Sequence, residues 1–219
     1  MTDFSDFKTS IAEWANRQDW GDILLTSFVR SAEEKFNAEL RIDRMICTAE
    51  NTVVDSCATL PDNWLESDLM MIASNQTPTG WRPITYTPRD EYFRLPSTPY
   101  SGAYASQANS TFGHYTIEGR SIFFGGPADT VEGTQFRLDY YAEVPVFSDT
   151  VPSWVYTKFS SMYRYAALMH ADLHAVGEED KASMLKSLVE DQINKLNMAH
   201  RYARASGSRL SRARVRSFG

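Results

Sequence analysis

Both stretches that make up the first forty residues have hydrophobic side chains at helical spacing. The apolar positions are Phe7, Ile11 and Trp14 in the first stretch, and Leu25, Phe28, Val29, Ala32, Phe36 and Leu40 in the second. Asp3 or Ser5 can cap the first stretch. In the second stretch Glu33, Glu34 and Lys35 fall largely on the other side. The pattern therefore predicts two amphipathic helices.

The C-terminal third also has a helical pattern. From Trp154 to Val176, aromatic and apolar residues occupy nearly all sides of the expected helix, and Gly177 is placed to end it. We therefore expect a helix that is buried on more than one face. The next helix begins with acidic residues, as a helix N-terminus favours. Its apolar stripe consists of Leu185, Leu188, Val189, Gln192, Leu196, Ala199 and Ala203.

Between these helical regions the hydrophobic period shortens to that of strands. The runs "MICTA" and "VVDSCATL" predict a hairpin, and "WLESDLMMIA", "RPITYT" and "TQFRLDYYAEV" predict further strands. The segment "HYTIEGRSIFF" predicts a second hairpin with its turn at Glu118 and Gly119. An uncharged segment from Leu95 to Gly113 predicts a long loop, and loops of this length are usually functional or disordered until bound.

This order of elements predicts an α+β fold. We expect a helical bundle formed by the N-terminal and C-terminal helices, with a β-rich central insertion and an extended C-terminal tail. The corresponding ranges are 1–44 for the N-terminal helices, 45–147 for the insertion, 148–205 for a long helical hairpin, and 206–219 for the basic tail.

Charge is distributed unevenly along the chain, which has a formal net charge of -6. Six of its 22 basic residues lie after His200, where there is no Asp or Glu, and the 16 basic and 28 acidic residues before that point give -12. An acidic body disfavours wrapping nucleic acid over the main surface, since phosphate binding needs cations. We therefore expect the C-terminal end to serve a different partner from the body.

Other candidate chemistry is weak. His170 and His174 have the spacing of zinc ligands, but Ala171 stands where a zinc hydrolase needs its general base. Acidic groups such as Glu33 with Glu34 are more typical of solvated helix faces than of glycosidases. Cys47 and Cys57 could face each other across the first hairpin and form a disulfide, but without a secretion signal reduced thiols are expected. We expect no catalytic residues, no metal and no cofactor, and no apolar run approaches the roughly 18 residues that cross a membrane.

Several segments, taken in order, resemble the head-to-tail adaptor (connector or gateway) proteins of tailed bacteriophages, of the tail tubular protein A type. They are "IAEWANRQDW", "FVRSAEEKFNAELR", "ATLPDNWLE", "HYTIEGRSIFFGGP" and "LDYYAEVPVFSDTVPSWVYTKFSSMYRYAALMHA". The segment from Asp149 to Trp154 is shorter than is usual in that group, and the loop from Pro96 to Gly113 is longer and less charged. The likeness covers most of the chain.

The resemblance implies a structural virion protein at the head-tail junction, present in the host cytoplasm during assembly. It implies a homo-oligomeric ring, a dodecamer, between the portal protein and a downstream tail, nozzle or terminator protein, with genomic DNA in the channel. One face of the aromatic helix would then meet a neighbouring copy, unless the aromatic set is core only. That set is Trp154, Tyr156, Phe159, Tyr163 and Tyr165.

The basic tail is the predicted portal-binding segment. Its arginines would pair with carboxylates, and its apolar residues would fill small pockets. The residues are Arg209, Leu210, Arg212, Arg214, Val215, Arg216 and Phe218. Two alternatives are a nucleic-acid-binding protein that uses the arginine-rich tail and a tail-associated cell-wall hydrolase.

Overall fold

The structure is a computed structural model that describes residues 3–73, 80–92, 113–125, 133–173, 177 and 179–216, with the backbone alone for 206–216. The chain divides into two compact units. The helical unit comprises residues 1–45 and 143–219, and the β unit comprises residues 46–142.

Six α-helices occur in the described part of the chain. They are α1 (Phe4–Trp14), α2 (Asp22–Glu39), α3 (Arg89–Tyr92), α4 (Trp154–Lys158), α5 (Ser160–Ala171) and α6 (Glu179–Arg216). The strands described are β1 (Ile46–Thr52), β2 (Cys57–Thr59), β3 (Trp64–Ala73), β4 (Trp81–Tyr86), β5 (His114–Glu118), β6 (Ser121–Gly125) and β7 (Gln135–Ala142).

The β unit is one seven-stranded sheet in the order β1-β7-β3-β4-β5-β6-β2. Its strand pairs are antiparallel apart from β4 with β5. The first and last strands of this order are neighbours in the sequence, and a tight turn joins them, in which Val54 and Cys57 form an isolated bridge. Asp55 and Ser56 both have positive φ in this turn, as the favoured two-residue hairpin turn requires. The sheet is therefore nearly closed, like a barrel.

The helical unit is built around α2 and α5. Phe7 and Ile11 of α1 and Phe28, Val29 and Phe36 of α2 are buried. The expected single helix after Pro152 is interrupted at Phe159, whose φ of -133° and ψ of 48° are not helical. Ser153 caps α4 by accepting a hydrogen bond from the Tyr156 amide at 3.3 Å.

The predicted fold class is wrong. A nearly closed seven-stranded sheet and six helices make a mixed α/β fold rather than a helical bundle with a β-rich insertion. The error arises from pairing between distant segments: β1 pairs with β7, and β4 with β5, in registers that no local pattern specifies. The predicted extended tail also differs from the structure, where α6 is helical to Arg216.

The two predicted hairpins had different outcomes. The hairpin of β5 and β6 is confirmed, with Ile117 opposite Ile122. The first predicted hairpin is wrong. Residues 50–52, which separate its two predicted strands, belong to β1, and the observed turn at residues 55–56 lies inside the second predicted strand. Strand β1 pairs with β7 and β2 with β6. Cys47 and Cys57 consequently have different cross-strand neighbours, and both are free thiols. The predicted loop from Leu95 to Gly113 lies, apart from its last residue, outside the described residues.

Candidate docking surfaces of the helical unit

The long helix α6 packs on the helical unit along its first half. Ala182, Leu185, Val189, Ile193 and His200 recur at helical spacing and are buried. The five residues that follow, 201–205, are all exposed. Since these five residues face every side of a helix, α6 leaves the surface of its unit just after His200.

Two polar contacts fix α6 at the point where it leaves. The side-chain amide of Asn197 accepts a hydrogen bond from the Arg41 amide and donates one to the Glu39 carbonyl, each at 2.8 Å. One turn later, His200 Nδ1 lies 2.9 Å from Asp43 Oδ1. The last packed turns of α6 are therefore held to the segment that follows α2.

A second face of α6 is apolar and exposed. Met184, Leu188, Met198 and Tyr202 share a helix face that points away from the packed one, and we call them the outer stripe. All four side chains are exposed, and Tyr202 is 69% exposed. An ion pair between Asp191 and Lys195 lies on the same face between the two apolar pairs. The outer stripe is therefore two exposed apolar pairs separated by charge, and exposed apolar side chains grouped in this way are candidates for a protein contact.

The aromatic residues predicted for the ring interface fall into two groups. Tyr156 and Tyr163 are 9% and 0% exposed and belong to the core of their own helical unit. Their rings lie 4.6 Å and 5.2 Å from the ring of Phe7. Trp154, Phe159 and Tyr165 are half-buried. The interface prediction therefore rests on the last three residues.

A buried carboxylate, which the sequence pattern assigned to the solvated face of α2, organises this aromatic core. Glu33 is 4% exposed. Its Oε1 accepts hydrogen bonds from the Phe147 amide and the Tyr163 hydroxyl, both at 2.7 Å, and its Oε2 pairs with Arg30 at 2.7 Å. Burial, followed by the charge of Glu33, raises the pKa of Tyr163 above its usual range, so this hydroxyl stays protonated as the donor.

Glu33 could have been found from its position, four residues after Val29 on the buried face of α2. Its partners could not, because Phe147 and Tyr163 lie more than a hundred residues away in the sequence.

The residues of the predicted portal-binding tail lie at the end of α6 and beyond it. The backbone from Arg209 to Arg216 is helical, and Phe218 lies outside the described residues. Arg201 and Arg204, the exposed basic residues before this tail, extend the same basic region back towards the packed part of α6.

The histidine pair with zinc-ligand spacing is only partly described by the structure. His170 is half-buried on α5, and His174 lies outside the described residues. Within the ranges that the structure covers, no three His, Cys, Asp or Glu side chains are grouped so that they could hold a metal ion. In the same ranges, no helix combines the length and the apolar character needed to cross a membrane.

Comparison with known families assigns this chain to a class of structural connecting proteins. Residues 2–216 match the SU10 adaptor protein family. Because the match covers nearly the whole chain, the protein belongs to that family, which confirms the resemblance to phage head-to-tail adaptors. Membership implies a structural adaptor role in a phage, contact with portal and tail proteins, and a location in the virion. No curated protein sequence matches the chain.

Proposed function

We propose that this protein is a structural virion component that joins the portal to the tail as a homo-oligomeric ring, a dodecamer, through whose channel the genomic DNA passes. The observation that carries the proposal is the basic end of α6, which leaves its unit after His200. Family membership supplies the setting, since adaptors of this kind contact portal and tail proteins.

The charge of the C-terminal segment supports docking to the portal. Arginine is suited to pairing with carboxylates because its guanidinium can make two parallel hydrogen bonds. Arg201 and Arg204 are exposed on α6, and four further arginines follow in the sequence before Ser217. A helix of 38 residues is about 57 Å long, so its end can contact a neighbouring ring while its first half remains packed.

The outer stripe of α6 supports contact between copies of the chain. Met184 and Leu188 form one exposed apolar pair, and Met198 and Tyr202 form the other. In a ring each subunit presents one surface to the next and receives a different one, so an exposed apolar face has a regular partner. The acidic body fits a channel wall, since negative charge repels DNA and lets it slide.

Portal docking is tested by truncation. Full-length protein and a chain ending at Ala205 are mixed with the portal protein of the same phage, and complex formation is followed by sedimentation and negative-stain imaging. We expect the truncated chain to keep its fold and to lose portal binding. Unchanged portal affinity after truncation would refute docking through this segment.

A charge variant separates portal docking from nucleic-acid binding. The tail variant has Gln in place of the four arginines Arg209, Arg212, Arg214 and Arg216. A separate control protein with the same net charge carries Arg17→Gln, Arg82→Gln, Arg89→Gln and Arg120→Gln. We expect only the tail variant to lose portal affinity. If the full-length chain instead binds duplex DNA through this tail, with an affinity that falls steeply with salt, the nucleic-acid-binding alternative is favoured.

Ring contact is tested on the outer stripe. Met198→Glu with Tyr202→Glu places charges in the proposed interface, where charged residues are depleted. We expect loss of ring assembly with an unchanged thermal midpoint, whereas Ser183→Glu, at an exposed position of α6 outside the stripe, should assemble normally. Normal rings from the double variant would show that the stripe is not a subunit contact.

A further inference from the structure

A pocket of about 330 Å³ opens on the helical unit beside α4 and α5. Its polar wall is formed by Ser153, Thr157, Ser160 and Arg164, and its apolar wall by Phe147, Pro152 and Tyr156. Arg164 is the charged residue among these described lining residues. The pocket therefore combines one cation with hydroxyl groups and a nonpolar floor.

Arg164 is the candidate anion-binding group of the pocket. Its Nε is buried and has no hydrogen-bond partner among the described residues. Its guanidinium carbon lies 5.1 Å from the centre of the Trp14 ring, a contact that holds the cation in place without using its N–H groups. A buried N–H without an acceptor is unfavourable, so an acceptor that reaches Nε from the pocket, after a rotation of the Arg164 side chain, gains this hydrogen bond as well as the charge interaction.

We propose that this pocket binds a carboxylate, carried on an Asp or Glu side chain of an adjoining protein subunit. A carboxylate matches the guanidinium because it accepts two parallel N–H bonds. A single cation above an apolar floor suits one carboxylate on an aliphatic stem better than the repeated charges of a nucleic-acid backbone.

The surroundings of the pocket favour a protein ligand over a small metabolite. Trp14, which contacts Arg164, is 57% exposed, and Val151, which precedes the lining residue Pro152, is also exposed. Trp and Arg are among the residue types that most often dominate the energy of protein interfaces, where they fill well-packed pockets. The proposal rests on the proposed function only in taking the ligand to be another subunit of the particle.

The carboxylate specificity is tested first on unassembled protein. The Arg164 Nε–H resonance is followed by NMR during titration with 3-phenylpropionate, which carries one carboxylate on an apolar stem, and in parallel with inorganic phosphate and with a short DNA duplex. We expect a saturable downfield shift with 3-phenylpropionate alone. No saturable shift with 3-phenylpropionate, or an equal response to phosphate or DNA, would overturn the proposal.

Two variants assign the response to this pocket. Arg164→Lys keeps the charge and loses the Nε–H donor, so 3-phenylpropionate affinity, measured by calorimetry, should fall about tenfold or more, equivalent to loss of one charge-assisted hydrogen bond. Ser160→Phe fills the pocket without altering the guanidinium and should also abolish binding. Arg120→Lys in the β unit is the control. Unchanged affinity in folded Ser160→Phe protein would show that the ligand binds elsewhere.

The source of the carboxylate is tested on the assembled complex with portal and tail proteins. If a subunit supplies the carboxylate, 3-phenylpropionate should no longer bind the assembled protein. Retention of full affinity in the complex would refute a subunit ligand, and this result is independent of whether the C-terminal segment docks to the portal.

Discussion

Replacing Glu33 by alanine removes the acceptor of two buried donors, the Phe147 amide and the Tyr163 hydroxyl. A buried donor that loses its acceptor costs about 1–3 kcal/mol, so the two together cost about 2–6 kcal/mol. The ion pair with Arg30 adds about 0.5 kcal/mol or less, because the Arg30 side chain is 34% exposed and its charge is solvated. We expect Glu33→Ala to lower the free energy of unfolding of the helical unit by about 2–6 kcal/mol.

Two further variants calibrate this loss. Glu33→Gln keeps an acceptor oxygen and loses the negative charge, so it should lower the free energy of unfolding by about 1–2 kcal/mol. Glu34 is the next residue of α2 and is exposed, so Glu34→Ala should change stability by less than about 0.5 kcal/mol. The expected order of destabilisation is therefore Glu33→Ala, then Glu33→Gln, then Glu34→Ala.

Urea denaturation, followed by near-ultraviolet circular dichroism and by hydrogen exchange of the Phe147 amide, measures these losses. The two units can unfold in separate transitions, so amide exchange is needed to assign the affected one. The Phe147 amide should exchange faster in Glu33→Ala protein, while β-unit amides such as that of Leu138 keep their protection. If the free energies of unfolding of the Glu33→Ala and Glu34→Ala proteins differ by less than about 1 kcal/mol, the buried carboxylate does not stabilise the helical unit as described.

Asn197→Ala should lower the free energy of unfolding by about 1–2 kcal/mol and speed hydrogen exchange of the Arg41 amide, because that amide loses its acceptor. An unchanged exchange rate would contradict the contact. Leu138→Ala, at a fully buried position of β7, should destabilise the β unit by about 2–5 kcal/mol in urea and leave protection of the Phe147 amide unchanged. A hydrogen bond to Asp3 raises the pKa of Asp149. The protonated pair therefore stabilises the fold fully below the usual Asp pKa, and this stabilisation is lost as the pH rises through the raised pKa of Asp149. Asp149→Asn should therefore raise the thermal midpoint at neutral pH and not in acid; an equal effect at both would refute this pairing.

Local features of the fold were predictable from the sequence. The β5–β6 hairpin follows from alternating apolar residues on either side of Gly119, whose φ of 59° suits a tight turn. Buried positions of α1 and α2, such as Phe7 and Phe36, follow from helical spacing. These features depend on residues close together in the sequence, where spacing and turn preference act directly.

Features that depend on distant partners were not predictable. Met70 pairs with Leu138 across β3 and β7, and Thr85 lies parallel to His114 across β4 and β5, and nothing in the strand pattern selects those partners. The contact of Arg164 with Trp14 likewise joins two helices far apart in the sequence. An arginine in the middle of a helix gives no sign that its Nε–H will be buried without an acceptor.

The helical conformation of the C-terminal segment changes what its binding would cost. A short helix in isolation is limited by nucleation, but α6 is already nucleated by its packed turns before His200, so the exposed turns need only propagation. A partner that binds them therefore loses less affinity to ordering than one that must fold an extended chain. Glycine in a helix costs about 0.5–1 kcal/mol relative to alanine, so propagation of α6 towards its end is weakest at Gly207.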